Sequence, residues 1–313
     1  MTRDQDAKDN VNVARLSVIS NTILTSGKFI CGFMMGSTAV ISEGVHSGID
    51  LMAAVIAFFS VRQSGKPADK QHPFGHGRFE NISGFVEGVL IFLAALLIII
   101  EAIEKLFSMS EVRELGWGMA IMGVSVVANT IVSTMLFRVA KKTDSVAIEA
   151  DGEHLRTDVI TSVGVLLGLG AIQLTGWHLL DPLLALVVAG LILNAAYRIT
   201  KKSFEGLIDT TLGASEERKI RDAVESETQK RVWLRSLRTR KAGADRFIDL
   251  VLVACHELDI ETAHEVCDRI EISINGRIKN ANVHIHVEPC PDLECDHVFE
   301  DCILKEVGSG KAR

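Results

Sequence analysis

Two four-residue intervals carry the first sign of chemistry in this sequence: His46-Ser-Gly-Ile-Asp50 and His154-Leu-Arg-Thr-Asp158. Residues four apart on an α-helix share a face, so each interval can present an imidazole nitrogen and a carboxylate to one point. Two such helices facing each other would supply two nitrogen and two oxygen ligands, a set that suits tetrahedral Zn²⁺. For either pair alone, a hydrogen-bonded interhelical His–Asp contact is the plainer explanation. Two pairs in apolar surroundings favour a metal site, because ionisable residues inside a membrane are expensive and are kept for function. Protonated imidazole releases metal, so the same ligands suit an exchanger of metal for protons.

A second constellation lies in Pro67-Ala-Asp69-Lys-Gln-His72-Pro-Phe-Gly75-His76-Gly77-Arg78-Phe-Glu80. Asp69, His72 and His76 can form a small nitrogen–oxygen site, with glycines that permit tight turns; a solvated loop is the competing explanation. A third comprises Asp249, His264, His284, His286 and Glu288. His284, His286 and Glu288 alternate onto one face of an expected strand, Asp249 lies on a neighbouring strand, and His264 opens a helix. Regulatory metal binding competes there with the ordinary polarity of an open sheet face. The tail Cys290-x4-Cys295-x-His297-x4-Cys302 offers soft ligands, with reduced bystander thiols as the alternative. Lys28 and Glu43 are candidates to pair or to line a path, Glu87 to pack against a polar neighbour, and Glu101 to reach the interface.

The elements that must position these residues follow from composition. Of the 313 residues, 48% are hydrophobic and 23% charged, and the mean hydropathy is +0.26. Apolar residues concentrate before about residue 205, in stretches near the ~20 residues a helix needs to cross the hydrocarbon. Six spans are expected, at about 13–35, 39–62, 82–107, 115–138, 146–175 and 179–200. The third and sixth read as cleanly apolar, and polarity within the others marks a path through the bundle. Residues 1–12 read as a cytoplasmic tail without a cleavable signal.

Lys and Arg collect before span one, between two and three, between four and five, and after six, which places both termini in the cytoplasm. Residues 206–289 have the composition of a small soluble α+β domain in the order α-β-β-α-β, followed by the Cys-containing tail 290–313. A net charge of −7 argues against nucleic-acid binding. No phosphate loop, nucleophile elbow or His-Glu-x-x-His is present, which removes support for ATP-driven transport and membrane proteolysis.

The motifs Ser42-Glu-Gly-Val-His46-Ser-Gly-Ile-Asp50, His72-Pro-Phe-Gly-His76-Gly and Glu149-Ala-Asp-Gly-Glu-His154-Leu-Arg-Thr-Asp158, with the α-β-β-α-β end, resemble the cation diffusion facilitator family. The resemblance implies a homodimeric, proton-coupled exporter of divalent transition metals, with six spans and a metallochaperone-like cytoplasmic domain. It assigns His46, Asp50, His154 and Asp158 to the transport site, and Asp69, His72 and His76 to a loop site. It also sets Arg78 and Asp209 at a dimer interlock, and His264, His286 and Glu288 at a cytoplasmic metal site between subunits.

This sequence departs from the family pattern at Arg235 and Val251, where members with a full binuclear site carry further histidines; Asp249 and His284 are the candidates to compensate. The Cys tail is outside the pattern. The reading is therefore an inner-membrane antiporter, with Zn²⁺ as substrate and regulator and protons as counter-ions. Cd²⁺ and Co²⁺ are further cargoes. The alternatives are a Fe²⁺ or Mn²⁺ exporter of the same family, or a metal-sensing scaffold that does not transport.

Overall fold

The computed structural model describes residues 3–35, 38–107, 116–175, 179–228, 232–255 and 258–290. The chain divides into two compact units, Met1–Leu207 and Ile208–Arg313. The first contains six long helices: α1 (Arg3–Met35), α2 (Thr38–Ser64), α3 (Arg78–Phe107), α4 (Gly116–Thr143), α5 (Val146–Thr175) and α6 (Leu180–Leu207). Six helices stand where six spans are expected, and among the described residues four of them contain segments long and apolar enough to cross a membrane by composition alone: Glu43–Ser64, Arg78–Glu104, Met122–Thr143 and Pro182–Leu207. The scattered Ser, Thr and Gly of α2 and α4 dilute their apolar content without taking it below that of a span.

The helices also outrun the apolar segments that announce them. The expected tail 1–12 is helical from Arg3, because its polar residues find partners: Gln5 donates to Asp9 at 2.9 Å, and Lys142 of α4 pairs with Asp9. Further along, Val13 and Ala14 pack with Val61, Val132, Leu136, Ala140, Ala147, Ile148 and Leu155, a core that joins α1, α2, α4 and α5. A second core joins α3 to α6 through Ile91, Ala95, Ile192 and Ala196.

Close approach of α3 and α6 rests on Gly84 and Gly88, spaced as the small-xxx-small pattern that lets helix backbones meet. A Cβ on Gly88 would lie 2.9 Å from the Thr200 backbone nitrogen, and one on Gly84 would lie 2.5 Å from Ser203 Oγ.

The second unit contains α7 (Ala214–Glu227), β1 (Val232–Ala242), β2 (Asp245–Ala254), α8 (Ile260–Arg277) and β3 (Ala281–Pro289). The sheet order is β1-β2-β3. β1 and β2 form an antiparallel hairpin whose turn uses Gly243 at φ +60, the left-handed position that favours glycine. β3 joins β2 in parallel, and α8 supplies the crossover.

Gly213 precedes α7 and makes no side-chain cap, while its carbonyl accepts from the N–H groups of Glu216 and Glu217. Asp259 caps α8 by accepting the Thr262 N–H at 2.8 Å. Period-two alternation sends Ile248, Leu250 and Leu252 toward Ile220, Val224, Val266, Ile270 and Ile274 of the helices. Asp249 and His284, which are register partners, fall on the other face.

Candidate metal transport site

Helix α2 carries His46 and Asp50, and α5 carries His154 and Asp158; the two helices pack against each other. Ligand atoms of His46, Asp50 and Asp158 all lie within 4.8 Å of one another, near enough to share one ion. His154 is tied to this group through Asp50, with Nε2 3.1 Å from Oδ1. Asp50 and His154 are buried. All four residues singled out by spacing therefore converge, three around a common point and the fourth on one of its carboxylates. The arrangement places two carboxylates together in an apolar helical unit, where a dication would offset the cost of their charge.

Neighbouring polar residues hold the α1–α2 side. Lys28 Nζ lies 3.0 Å from Glu43 Oε1 and donates to Ser47 Oγ at 2.7 Å, one residue beyond His46. Thr25 Oγ1 donates to the Ser47 carbonyl at 2.9 Å. The expected pairing of Lys28 with Glu43 is thus present, and it fixes α1 against the helix that carries two site residues.

Glu80, the last residue of the loop motif by sequence, has a larger part in the structure. Its Oε1 accepts from Ser64 Oγ at 2.8 Å, while Oε2 accepts from Ser145 Oγ at 2.6 Å and from the Val146 N–H at 3.1 Å. One buried carboxylate on α3 thereby clamps the end of α2 to the start of α5. Glu149 of α5 pairs with Lys202 of α6, and Glu153 lies 3.4 Å from Arg198. Sequence carries no signal for these partners, which are between 16 and 66 residues apart.

The loop constellation also comes together. Asp69, His72 and His76 have ligand atoms within 4.8 Å of one another. Asp69 Oδ1 lies 3.4 Å from His72 Nδ1, and Oδ2 lies 3.4 Å from His76 Nε2. The Asp69 carboxyl is held below its usual value first by the His72 backbone N–H, then by that of Gln71 and by the two imidazoles. The Gly75 N–H returns to the His72 carbonyl at 2.9 Å, with Gly75 at φ +85, so glycine allows the turn that brings His76 back.

In the second unit the expected residues fall into separate pairs. His284 Nδ1 lies 3.8 Å from Asp249, His286 Nε2 lies 3.8 Å from Glu288, and Arg235 pairs with Glu288. His264, on α8, lies 3.8 Å from Asp268. It lines a cleft of about 500 Å³ with Cys267, Val283, Ile285 and Val287, on the helix-covered side of the sheet. A single chain does not gather His264 with His284 and His286, because the crossover puts α8 on the opposite face. Asp209 pairs with Arg240 at 3.3 Å, while Arg78 opens α3. Cys290 is buried at the end of β3; Cys295, His297 and Cys302 lie outside the described residues.

Comparison with known proteins identifies the family. The profile of the cation efflux transmembrane domain matches residues 14–208, and that of the cation efflux protein cytoplasmic domain matches residues 212–290. An uncharacterized transporter of Synechocystis sp. is 34% identical over 257 residues, 82% of this chain and 83% of that protein. The cation-efflux pump FieF of Salmonella paratyphi A is 31% identical over 268 residues, 84% of this chain and 87% of that protein. A solved structure of the transporter CzrB in its Zn form covers 25% of this chain and 90% of its own, at 30% identity and a TM-score of 0.24. With both profiles matched in order along a six-helix unit and an α-β-β-α-β unit, this chain belongs to the cation efflux (cation diffusion facilitator) family: it is a multi-pass cation efflux transporter with a C-terminal cytoplasmic domain, and not an enzyme.

Proposed function

We propose that the protein exports Zn²⁺ from the cytoplasm in exchange for protons, with His46, Asp50, His154 and Asp158 as the transport ligands. The observation that carries this reading is the meeting of His46, Asp50 and Asp158 within 4.8 Å, with His154 held on Asp50. Two imidazoles and two carboxylates satisfy the tetrahedral preference of Zn²⁺, whereas Mn²⁺ favours more oxygen ligands. Cd²⁺ and Co²⁺ follow the same route, and Fe²⁺ is the competing cargo.

Coupling to protons follows from the ligand chemistry. Imidazole and carboxylate bind metal only when deprotonated, so each proton that arrives weakens the hold on the ion. The helix pair α2 and α5 opens the site to one side at a time. The loop site of Asp69, His72 and His76 and the cytoplasmic residues Asp249, His264, His284, His286 and Glu288 serve regulation. A homodimer of the cytoplasmic domain brings His264 of one subunit toward the sheet face of the other, and Arg78 and Asp209 act as a dimer interlock. The protein works in the inner membrane with both termini in the cytoplasm.

The test is metal uptake into inside-out vesicles or proteoliposomes under an imposed pH gradient, with Zn²⁺, Fe²⁺, Mn²⁺ and Cd²⁺ compared. Zn²⁺ uptake that collapses with the gradient supports the reading. Preferential Fe²⁺ uptake changes the cargo, and flux indifferent to the gradient removes the proton coupling.

A further inference from the structure

Two buried carboxylates have no part in the transport site described above. Glu87 of α3 and Asp151 of α5 are each 1% exposed. Ser83 Oγ donates to Glu87 Oε1 at 3.2 Å, and Ser17 Oγ of α1 donates to Asp151 Oδ1 at 3.1 Å. Their second oxygens, Glu87 Oε2 and Asp151 Oδ2, are fully buried with no hydrogen-bond partner among the described residues, and so is His154 Nδ1. α3 packs on α5, and the Glu87 carboxylate lies close enough to interact electrostatically with both Asp151 and His154. Buried carboxyl oxygens without partners are costly to ionise, so the empty pair is held neutral by protons and a bound cation is what would let it carry charge.

Their depth gives this pair a direction. Glu80 ties the end of α2 (Ser64) and the start of α5 (Ser145, Val146) to the start of α3, giving the three helices a common reference level. The same end of α3 meets the end of α6, where Asn81 Nδ2 donates to the Ser203 carbonyl at 3.4 Å, four residues before the chain leaves the helix for the cytoplasmic domain. From this cytoplasmic level, a rise of ~1.5 Å per residue puts Asp151 at about 8 Å and Glu87 at about 11 Å. By the same rise His154 lies at about 12 Å, level with Glu87, Asp158 at about 18 Å and Asp50 at about 21 Å. The two carboxylates, each with one unpartnered oxygen, thus stand about one to two and a half helical turns on the cytoplasmic side of Asp50 and Asp158.

We propose that Glu87 and Asp151 form a staging site for a divalent metal cation on its way from the cytoplasm, which passes the ion to His154 and Asp50. Its oxygen donors bind more weakly than the mixed nitrogen–oxygen set beyond, so an ion moves inward down an affinity step. This rests on the reading that Asp50 and Asp158 carry the transported ion.

The experiment uses the full chain in detergent and in proteoliposomes, with Zn²⁺ itself as the probe. Glu87→Gln with Asp151→Asn keeps side-chain bulk and the acceptors for Ser83 and Ser17, and it removes only charge. The double variant is expected to bind one Zn²⁺ fewer per chain at millimolar metal, and to show a KM for Zn²⁺ transport raised about tenfold with kcat within twofold. Unchanged Zn²⁺ stoichiometry and KM would overturn the proposal, since two merely structural neutral groups tolerate this replacement. If the double variant does not fold, Glu87→Gln alone is judged by the same two readouts. Asp50→Ala separates the two readings: it should abolish transport while retaining the Zn²⁺ lost on changing Glu87 and Asp151. Normal transport by Asp50→Ala would defeat the transport-site reading and leave the count of bound Zn²⁺ to decide the staging site.

Discussion

The His154 imidazole on α5 lies 3.1 Å from the Asp50 carboxylate on α2, across 104 residues of sequence. This contact joins the two helices at the level of the candidate site, so a change at either residue is felt by both. Asp50→Asn keeps the shape and a hydrogen-bonding oxygen but removes a charged ligand. Transport should fall by about a hundredfold or more, the loss expected when an interaction worth about 3 kcal/mol disappears from the rate-limiting state. Flux in proteoliposomes is the measurement, and a variant within threefold of wild type would remove Asp50 from the site.

Glu80 should be the most sensitive carboxylate outside the site. It accepts three hydrogen bonds from α2 and the α5 N-terminus, and a buried charged acceptor of this kind contributes about 1.5–3 kcal/mol per bond when a donor is left unmatched. Glu80→Ala should therefore lower thermal stability by at least about 2 kcal/mol, and Glu80→Gln by less, because one oxygen acceptor remains. Equal stability of Glu80→Ala and wild type in a thermal melt of the purified protein would show that the clamp does not bear on the fold.

The α3–α6 contact depends on the absence of a side chain at Gly88. A Cβ there meets the Thr200 backbone, which has no rotamer to yield. Gly88→Leu should cost about 1–3 kcal/mol from overpacking, with reduced yield of folded protein. Gly123, whose Cβ would meet nothing within 4 Å, is the control, and Gly123→Ala should be neutral. Equal effects at the two positions would contradict the close approach.

The candidate ligands were legible before their geometry because helical spacing alone puts His46 with Asp50 and His154 with Asp158 on shared faces. Span number was legible from apolar content, but the true helix lengths were not. The polar ends of α1 and α3 are helical because they pair with other helices, as Asp9 does with Lys142 of α4 and Asn81 with Ser203 of α6. Such partners are a property of the folded bundle and leave no local pattern. The side of the sheet that His264 occupies was also hidden, since it follows from α8 crossing between the parallel strands β2 and β3. Asp151 lies inside the motif that ends at Asp158, yet the burial of its Oδ2 without a partner, while Oδ1 accepts from Ser17, appears only once the helices surround it.

The loop site carries a pH signature with a definite sign. The folded Asp69 carboxyl is depressed from its ordinary value, mainly by the His72 N–H. The order these contacts lend to the loop is therefore fully present above the ordinary carboxylate range near 4, and is lost as pH falls through the lower folded value. At neutral pH Asp69 is therefore ionised and available as a ligand. Asp69→Asn should weaken Zn²⁺ at this site about tenfold or more at pH 7, and the weakened site should release its metal at a higher pH than wild type, because protons and metal compete for the same ligands. Unchanged Zn²⁺ affinity in a titration of the purified protein would remove Asp69 from this site.

The most direct test of the whole account is Zn²⁺ flux in proteoliposomes, with internal pH followed in the same vesicles. The account predicts Zn²⁺ movement matched by opposite proton movement in wild type, and loss of both in Asp158→Ala. Zn²⁺ movement without any proton counterflow, or undiminished in Asp158→Ala, would contradict it.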